Sequence, residues 1–377
     1  MMVMLEAEEL RSQGVDVIDL GPGQPDFATP EPIKQAGIEA IVGNFTRYTA
    51  SAGISELRQA IADSFNRRWG TRFGIPNVVV TAGAKQAVFN LCMAAFEEGD
   101  EVIVPSPYWV TFPEVVKLAG ATPVHPMVPE DRGFVPDVDT VRRSLTDRTR
   151  GLILNTPNNP TGAVIPGSEL EALAEMTQAE DLFLLSDETY EQFTYSDAAH
   201  VSAAAFLGEA APGFAIVGSF SKVYSMTGWR IGFAVGHADL MTKVNEFQSH
   251  QSGNPCSISQ QAALAALARD ENAFETLRAE YGRRRRLVLD RLAGLPGFRC
   301  VPPSGAFYVF PNVREAMHLT GCEDSVEFSR LLLREAHVAT VPGSAFGADG
   351  YIRLSYAAPP DLLEAAFDRL RDLLTRS

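Results

Sequence analysis

Positive charge is what this sequence is short of. Its 377 residues carry 32 Lys and Arg against 47 Asp and Glu, a net charge of −15. Phosphate backbones select basic surfaces, so this charge argues against nucleic acid as a main partner. The one basic run is Arg283 to Arg286. Phe274, Leu277, Tyr281, Val288 and Leu292 recur around it at helical spacing, which predicts a helix with most of these arginines on its solvated side. Cysteine is also scarce. Cys92, Cys256, Cys300 and Cys322 show no CxxC spacing and read as free thiols in a reducing cytoplasm, with no metal site expected. No stretch is apolar and uncharged for long enough to span a bilayer, so no membrane is expected as a partner. The opening MMVMLEAEELRSQG becomes charged too soon for a signal peptide. There is no internal repeat and no low-complexity linker.

What is present is enough apolar material for a large core: 46 % of the residues are hydrophobic. Between residues 76 and 236 apolar runs alternate with helical patterns. The runs predict strands over 77–82, 101–105, 122–127, 151–155, 182–187, 214–220 and 230–236. Val-, Ile- and Leu-rich strands alternating with amphipathic helices imply an α/β fold with a mostly parallel sheet of seven strands, covered on both faces. The tail differs. A helix over 271–293 leads to GAFYVFPN, then SVEFSRLLLREA, VATVPG, YIRLSYA and a last helix, PDLLEAAFDRLRDLL. That is a smaller α+β unit, and the short first helix should pack on it. The expected division is a large domain over 27–270 and a small domain built from both chain ends, 1–26 and 271–377.

Ligands of open parallel sheets bind beyond the carboxyl ends of the strands. The unusual residues collect there: TAGAKQA, SPYWV, NTPNNPTG, SDETY and SFSK each follow a strand. AGAKQA puts small residues at a helix start, where backbone N–H groups and the helix dipole favour a phosphate. Lys85 is odd there, since a cation opposes that dipole; it points either to solvent or to an anion. Asp187 leaves an apolar strand, which is costly without a partner. A turn cap would explain it, as would a salt bridge to a protonated ring nitrogen. Tyr190 could donate to an oxygen on the same ring. Lys222 follows Ser219 and Ser221. Free lysine titrates near ~10.4, so its amine needs a special setting to react, and a covalent imine to an aldehyde cofactor provides one. The serines and Arg230 would bind a phosphate. Trp109 could stack on a flat ring, or simply pack. Arg353 is a cation inside an apolar strand; a fixed ion pair or a bidentate substrate carboxylate would each satisfy it.

Taken together, GPGQPDFATP (21–30), RYTASAGISELR, TAGAKQA, SPYWV, NNPTG, SDETYE, SFSKVYSMTGWRIG, SGAFYV, VPGSAFG and YIRLSYA resemble the class I pyridoxal-phosphate aminotransferases of fold type I, in the prokaryotic aspartate aminotransferase subgroup. The resemblance covers nearly the whole chain. It implies pyridoxal 5′-phosphate as cofactor and an amino-group transfer between an L-amino acid and a 2-oxo acid. It implies that Lys222 carries the cofactor and shuttles the proton, and that Asp187 keeps the ring nitrogen protonated. Asn159 and Tyr190 would contact the ring 3′ oxygen and Trp109 would stack on the ring. Ser219, Arg230 and the amides of Ala84 and Lys85 would hold the phosphate. Tyr48 would reach the phosphate of a neighbouring subunit, making a homodimer with shared sites. Gly23, Trp109, Asn159 and Arg353 would hold the substrate α-carboxylate. Lys85 matches a lysine that faces the side-chain carboxylate of aspartate, with 2-oxoglutarate as acceptor. Aromatic or prephenate-type substrates, or a lyase reaction on the same fold, are the alternatives. Members carry an arm ahead of the first helix, whereas these residues open almost at that helix, which bears on closure of the site.

Overall fold

A computed structural model describes residues 2–195, 198–208, 211–269 and 274–375. The expected domain boundary at 270/271 and the first three residues of the expected helix over 271–293 lie outside the described residues. In chain order the strands are β1 (Ile18–Asp19), β2 (Val78–Thr81), β3 (Glu101–Ile103), β4 (Thr122–Val124), β5 (Thr149–Asn155), β6 (Phe183–Asp187), β7 (Phe214–Ser219), β8 (Gly232–Gly236), β9 (Tyr308–Val309), β10 (Val338–Ala339), β11 (Val341–Pro342) and β12 (Ile352–Ser355).

The fold is α/β, with a seven-stranded sheet in the order β2-β8-β7-β6-β5-β3-β4. Every pairing is parallel except the two made by β8. Side chains alternate across a strand, and here both faces are apolar. Val78, Val80, Ile103, Leu152, Leu154, Leu184, Ile216 and Val235 belong to one core. Their neighbours Val79, Val102, Ile153, Leu185, Ala215, Val217 and Ala234 belong to another on the opposite face. The first core is closed by helix Ser55–Trp69 through Leu57, Ile61 and Phe65, and by Gly167–Ala179 and Ser257–Leu267. The second is closed by Ala84–Ala95, Thr111–Leu118 and Ala238–Gln251. Burying each such Val or Leu contributes about 1.5–3 kcal/mol. A polar residue among them therefore needs a reason to be there.

Both ends of the chain meet in a third core. Strand β1 pairs with β10, and helix Met2–Ser12 sets Val3 and Ala7 against Leu333 and Ala339. A three-stranded antiparallel sheet, β11-β12-β9, lies beside helices Glu275–Leu292, Ser325–Ala336 and Pro360–Leu374. Their apolar stripes, among them Tyr281, Val288, Phe328, Leu332, Phe367 and Leu370, form one cluster. Helix Ser325–Ala336 starts on Asp324, whose carboxylate accepts from the amides of Val326 at 2.9 Å and Glu327 at 2.8 Å.

The basic run departs in part from its solvated reading. Arg284 is buried, because it stands three residues from Tyr281 and four from Val288 on the inward face. Its Nη1 meets Asp26 at 2.8 Å and its Nε meets Glu280 at 2.9 Å. The guanidinium also lies over the rings of Phe27 and Tyr281.

Candidate active site

The register of the sheet brings the polar strand ends into one row. Asn155 at the end of β5 is paired with Asp187 at the end of β6, and Asp187 with Val217 of β7. Thr81 of β2 and Ser219 of β7 flank the same residue of β8, Gly232. A Cβ on Gly232 would sit 2.5 Å from the amide nitrogen of Ala84, so the helix start can approach Ser219 only because this position is glycine.

Asp187 is 4 % exposed. Its carboxylate accepts from the Thr189 amide at 3.0 Å, and its carbonyl accepts from Asn155 Nδ2 at 3.0 Å. Burial raises its pKa to about 6, a rise that the Thr189 hydrogen bonds and the charge of Lys222 only partly oppose. A carboxylate held this way gains from a cation placed against it. Lys222 shows the matching effect. Burial first, then the charges of Arg353 and Arg230, lowers its pKa to about 8. About one amine in ten is then neutral at pH 7, against roughly one in three thousand for an ordinary lysine. Its Nζ donates to the carbonyl of Gly23.

The donor set fits a phosphorylated aldehyde. Helix Ala84–Ala95 begins on Gly83, which has no side chain to cap it. Its first amides therefore face outward beside Arg230. Gly83 has φ +88°, and a Cβ there would sit 2.5 Å from Arg230 Nη2. Arg230 itself is left-handed (φ 52°) and is tied down by its bonds to Thr227 O at 2.9 Å and Ala82 O at 3.4 Å. Ser219 Oγ accepts from the Ser221 amide at 3.0 Å. Through Gly83 and Gly232 the start of helix Ala84–Ala95 thus lies beside both Arg230 and the end of β7 at Ser219, a donor set that could hold a phosphate.

Arg353 lies on β12 and is 8 % exposed. Among the described residues it has no carboxylate partner; its Nη1 donates to Asn159 Oδ1 at 2.8 Å and its Nη2 to Gly21 O at 2.5 Å. Its buried Nε has no acceptor. This is not the fixed ion pair that one reading allowed. It is a desolvated cation with donor capacity to spare. Asn159 is positioned in turn by its amide, which donates to Asn155 Oδ1 at 2.7 Å. The neighbouring Asn158 is used within the turn, accepting from the Thr161 amide at 3.1 Å and hydroxyl at 2.8 Å. Tyr190 O–H meets Tyr308 O–H at 2.7 Å.

Lys85 is exposed, and its Nζ lies 5.3 Å from the Trp109 ring centroid. That contact sets the cation over an aromatic face instead of leaving it free in solvent. Tyr48 is not brought to the other residues within one chain: its side chain is 98 % exposed. Four contributors were missed in the sequence: Asn155, Thr189, Gly21 and Tyr308. Asn155 ends an apolar strand and could have been found by that signal. Tyr308 sits in the apolar run GAFYVF, where nothing in the spacing marks it.

Comparisons with known proteins bear on this site. The family model described as Aminotransferase class I and II matches residues 15–370. The aspartate aminotransferase of Geobacillus stearothermophilus is 44 % identical over 365 residues, covering 97 % of this chain and 93 % of that protein. The aspartate/prephenate aminotransferase of Thermus thermophilus is 44 % identical over 379 residues, covering 100 % and 95 %. Among solved structures, the Thermus thermophilus aspartate aminotransferase with maleate superposes with a TM-score of 0.93 at 42 % identity, over 99 % of this chain and 95 % of that one.

Proposed function

The chain belongs to the class I and II aminotransferases, and from that premise we propose that it carries the amino group of L-aspartate to 2-oxoglutarate in a ping-pong cycle. Its cofactor is pyridoxal phosphate, which when bound supplies an electron sink for the negative charge that develops at substrate Cα. The observation that carries the reading is Arg353, a buried guanidinium with no carboxylate partner among the described residues, with Nε unused and Asn159 beside it. An α-carboxylate is common to both substrates and matches that fork.

In this reading Arg353, with Asn159, Trp109 and Gly23, holds the α-carboxylate. Lys222 Nζ would anchor the cofactor, then take the proton from substrate Cα and deliver it to the cofactor carbon C4′; its lowered pKa suits a base near neutral pH. Asp187 would face the ring nitrogen and keep its proton in place. Tyr190 and Asn159 would address the ring 3′ oxygen, and Trp109 would stack on the ring. Ser219, Arg230 and the amides of Ala84 and Lys85 hold the phosphate. Lys85 addresses the side-chain carboxylate of aspartate.

The reading includes a homodimer, with Tyr48 reaching the partner's phosphate. Its support is the exposure of Tyr48 together with Ile38, Ile41 and Val42 on helix Glu31–Val42. It also includes a large domain over 27–270 and a small one from 1–26 and 271–377, so that closure would bring Arg353 toward Lys222. A cytoplasmic location fits the four free cysteines. No described helix is long and apolar enough to cross a membrane. A second reading, prephenate or an aromatic amino acid as alternative substrate, is favoured by the Thermus thermophilus relative and by a Pyrococcus horikoshii aromatic aminotransferase of TM-score 0.91 at 40 % identity.

A panel of amino donors against 2-oxoglutarate tests the substrate. Aspartate should show the highest kcat/KM, and a larger value for an aromatic donor would establish the second reading. Lys222→Ala should lose transamination; wild-type turnover in that variant would remove Lys222 from its role.

A further inference from the structure

Tyr308 is 1 % exposed and borders three residues of the site, Tyr190, Arg353 and Gly23. Its hydroxyl lies 2.7 Å from that of Tyr190. Its ring lies under the guanidinium of Arg353, 4.5 Å from ring centroid to Cζ. A methyl on Gly23 would collide with its hydroxyl, so it borders the residue whose carbonyl accepts from Lys222. Local pairing explains the placement. Tyr308 of β9 stands opposite Ser355 of β12, and Arg353, two residues along, shares that face.

We propose that Tyr308 is a positioning residue that ties the ring-oxygen side of the site to the carboxylate side, its hydroxyl holding Tyr190 and its ring holding Arg353. The proposal rests on the functional reading above. A phenol has one proton to give and lone pairs to accept with. If Tyr190 donates a hydrogen bond to the ring oxygen, its own oxygen can accept one from the Tyr308 hydroxyl, and the two bonds strengthen each other. Burial, and then the proximity of Tyr308, pushes the Tyr190 phenol well above its usual range, so it remains a donor. Among the described residues, the charged and titratable groups facing the pair include Arg353, Asp187 and Tyr281.

Tyr308→Phe removes the hydroxyl and keeps the ring; Tyr308→Leu removes both. In holoenzyme the visible absorption changes as the proton at Lys222 Nζ is lost. A donor on the ring oxygen favours the more negative, deprotonated form, so weakening that donor raises the midpoint. Tyr308→Phe should raise it by about half a pH unit with little change in KM. Tyr190→Phe should raise it more, and adding Tyr308→Phe to Tyr190→Phe should have no further effect. Tyr308→Leu should also raise KM for aspartate and 2-oxoglutarate about tenfold. If Tyr190→Phe moves the midpoint and Tyr308→Phe does not, the proposal is overturned while the reading of the site stands. If neither moves it, the placement of Tyr190 fails and takes the proposal with it. Should Tyr308→Leu not fold, the Phe variant and the double variant still decide.

Discussion

Arg284 Nη1 stands 2.8 Å from Asp26 Oδ1, although 258 residues separate them in sequence. The pair joins helix Glu275–Leu292 to the connector that carries Gly21 and Gly23, whose carbonyls face Arg353 and Lys222. The arginine is 5 % exposed and the aspartate 23 %, so the cation has given up more water than the anion.

Arg284→Met should therefore leave Asp26 without its partner and Glu280 with Arg283 alone, and lower stability by about 3 kcal/mol. The double variant with Asp26→Asn should recover part of that loss. Thermal unfolding of the holoenzymes measures both. A double variant no better than the single one would show that the loss comes from packing against Phe27 and Tyr281, not from charge.

This pair also marks what could and could not be read from the chain alone. Asp187 stood out because it ends an apolar strand, and Lys222 and Asn159 because they follow one within a few residues, where polar chemistry has little structural excuse. The seven strands were legible through their Val, Ile and Leu runs. Their limits were less so: β8 starts at Gly232 and not at residue 230, because Arg230 is left-handed and cannot extend the strand. Arg284 looked like one charge in a solvated run, since its partner lies in a segment that no periodicity connects to it. Tyr308 reads as core by burial, and only the contacts with Tyr190 and Arg353 reveal its second use.

Arg353→Lys should raise KM for both substrates roughly hundredfold, because a lysine cannot reproduce the planar two-point contact with a carboxylate. The bonds to Asn159 and Gly21 would weaken as well. Cofactor absorption should change little, since lysine keeps the positive charge that acts on Lys222. Steady-state kinetics with each substrate varied in turn checks this, and an unchanged KM would remove Arg353 from carboxylate binding.

Asp187 gives a pH dependence with a definite sign. In the folded chain without cofactor its pKa is about 6, raised above the usual value of 3.8 by burial. The folded state therefore holds the proton more tightly than the unfolded one. Stability is unaffected below about pH 4 and is lost as pH rises from there to about 6, by on the order of 2–3 kcal/mol. Asp187→Asn should remove that penalty. Apoenzyme of the variant should melt a few degrees higher than wild type at pH 8, and the difference should vanish near pH 4. The same variant should lose activity with cofactor bound, because the ring nitrogen loses its anion. Melting curves at the two pH values test the first half, and turnover the second.

Lys85 separates the two substrate readings. Its ammonium lies over Trp109, on the first turn of the helix proposed to bind the phosphate. A cation there is unfavourable to the helix dipole unless an anion comes near. If that anion is the side-chain carboxylate of aspartate, Lys85→Ser should raise KM for aspartate about tenfold, the value of one exposed charge-assisted bond. It should leave an aromatic donor untouched or improved, because the ring would then meet Trp109 without a charge between them. Comparing kcat/KM for the two donors in wild type and variant cancels any general damage to the enzyme. Equal losses for aspartate and for phenylalanine would show that Lys85 serves the phosphate or the fold, and side-chain choice would then have to lie elsewhere in the site.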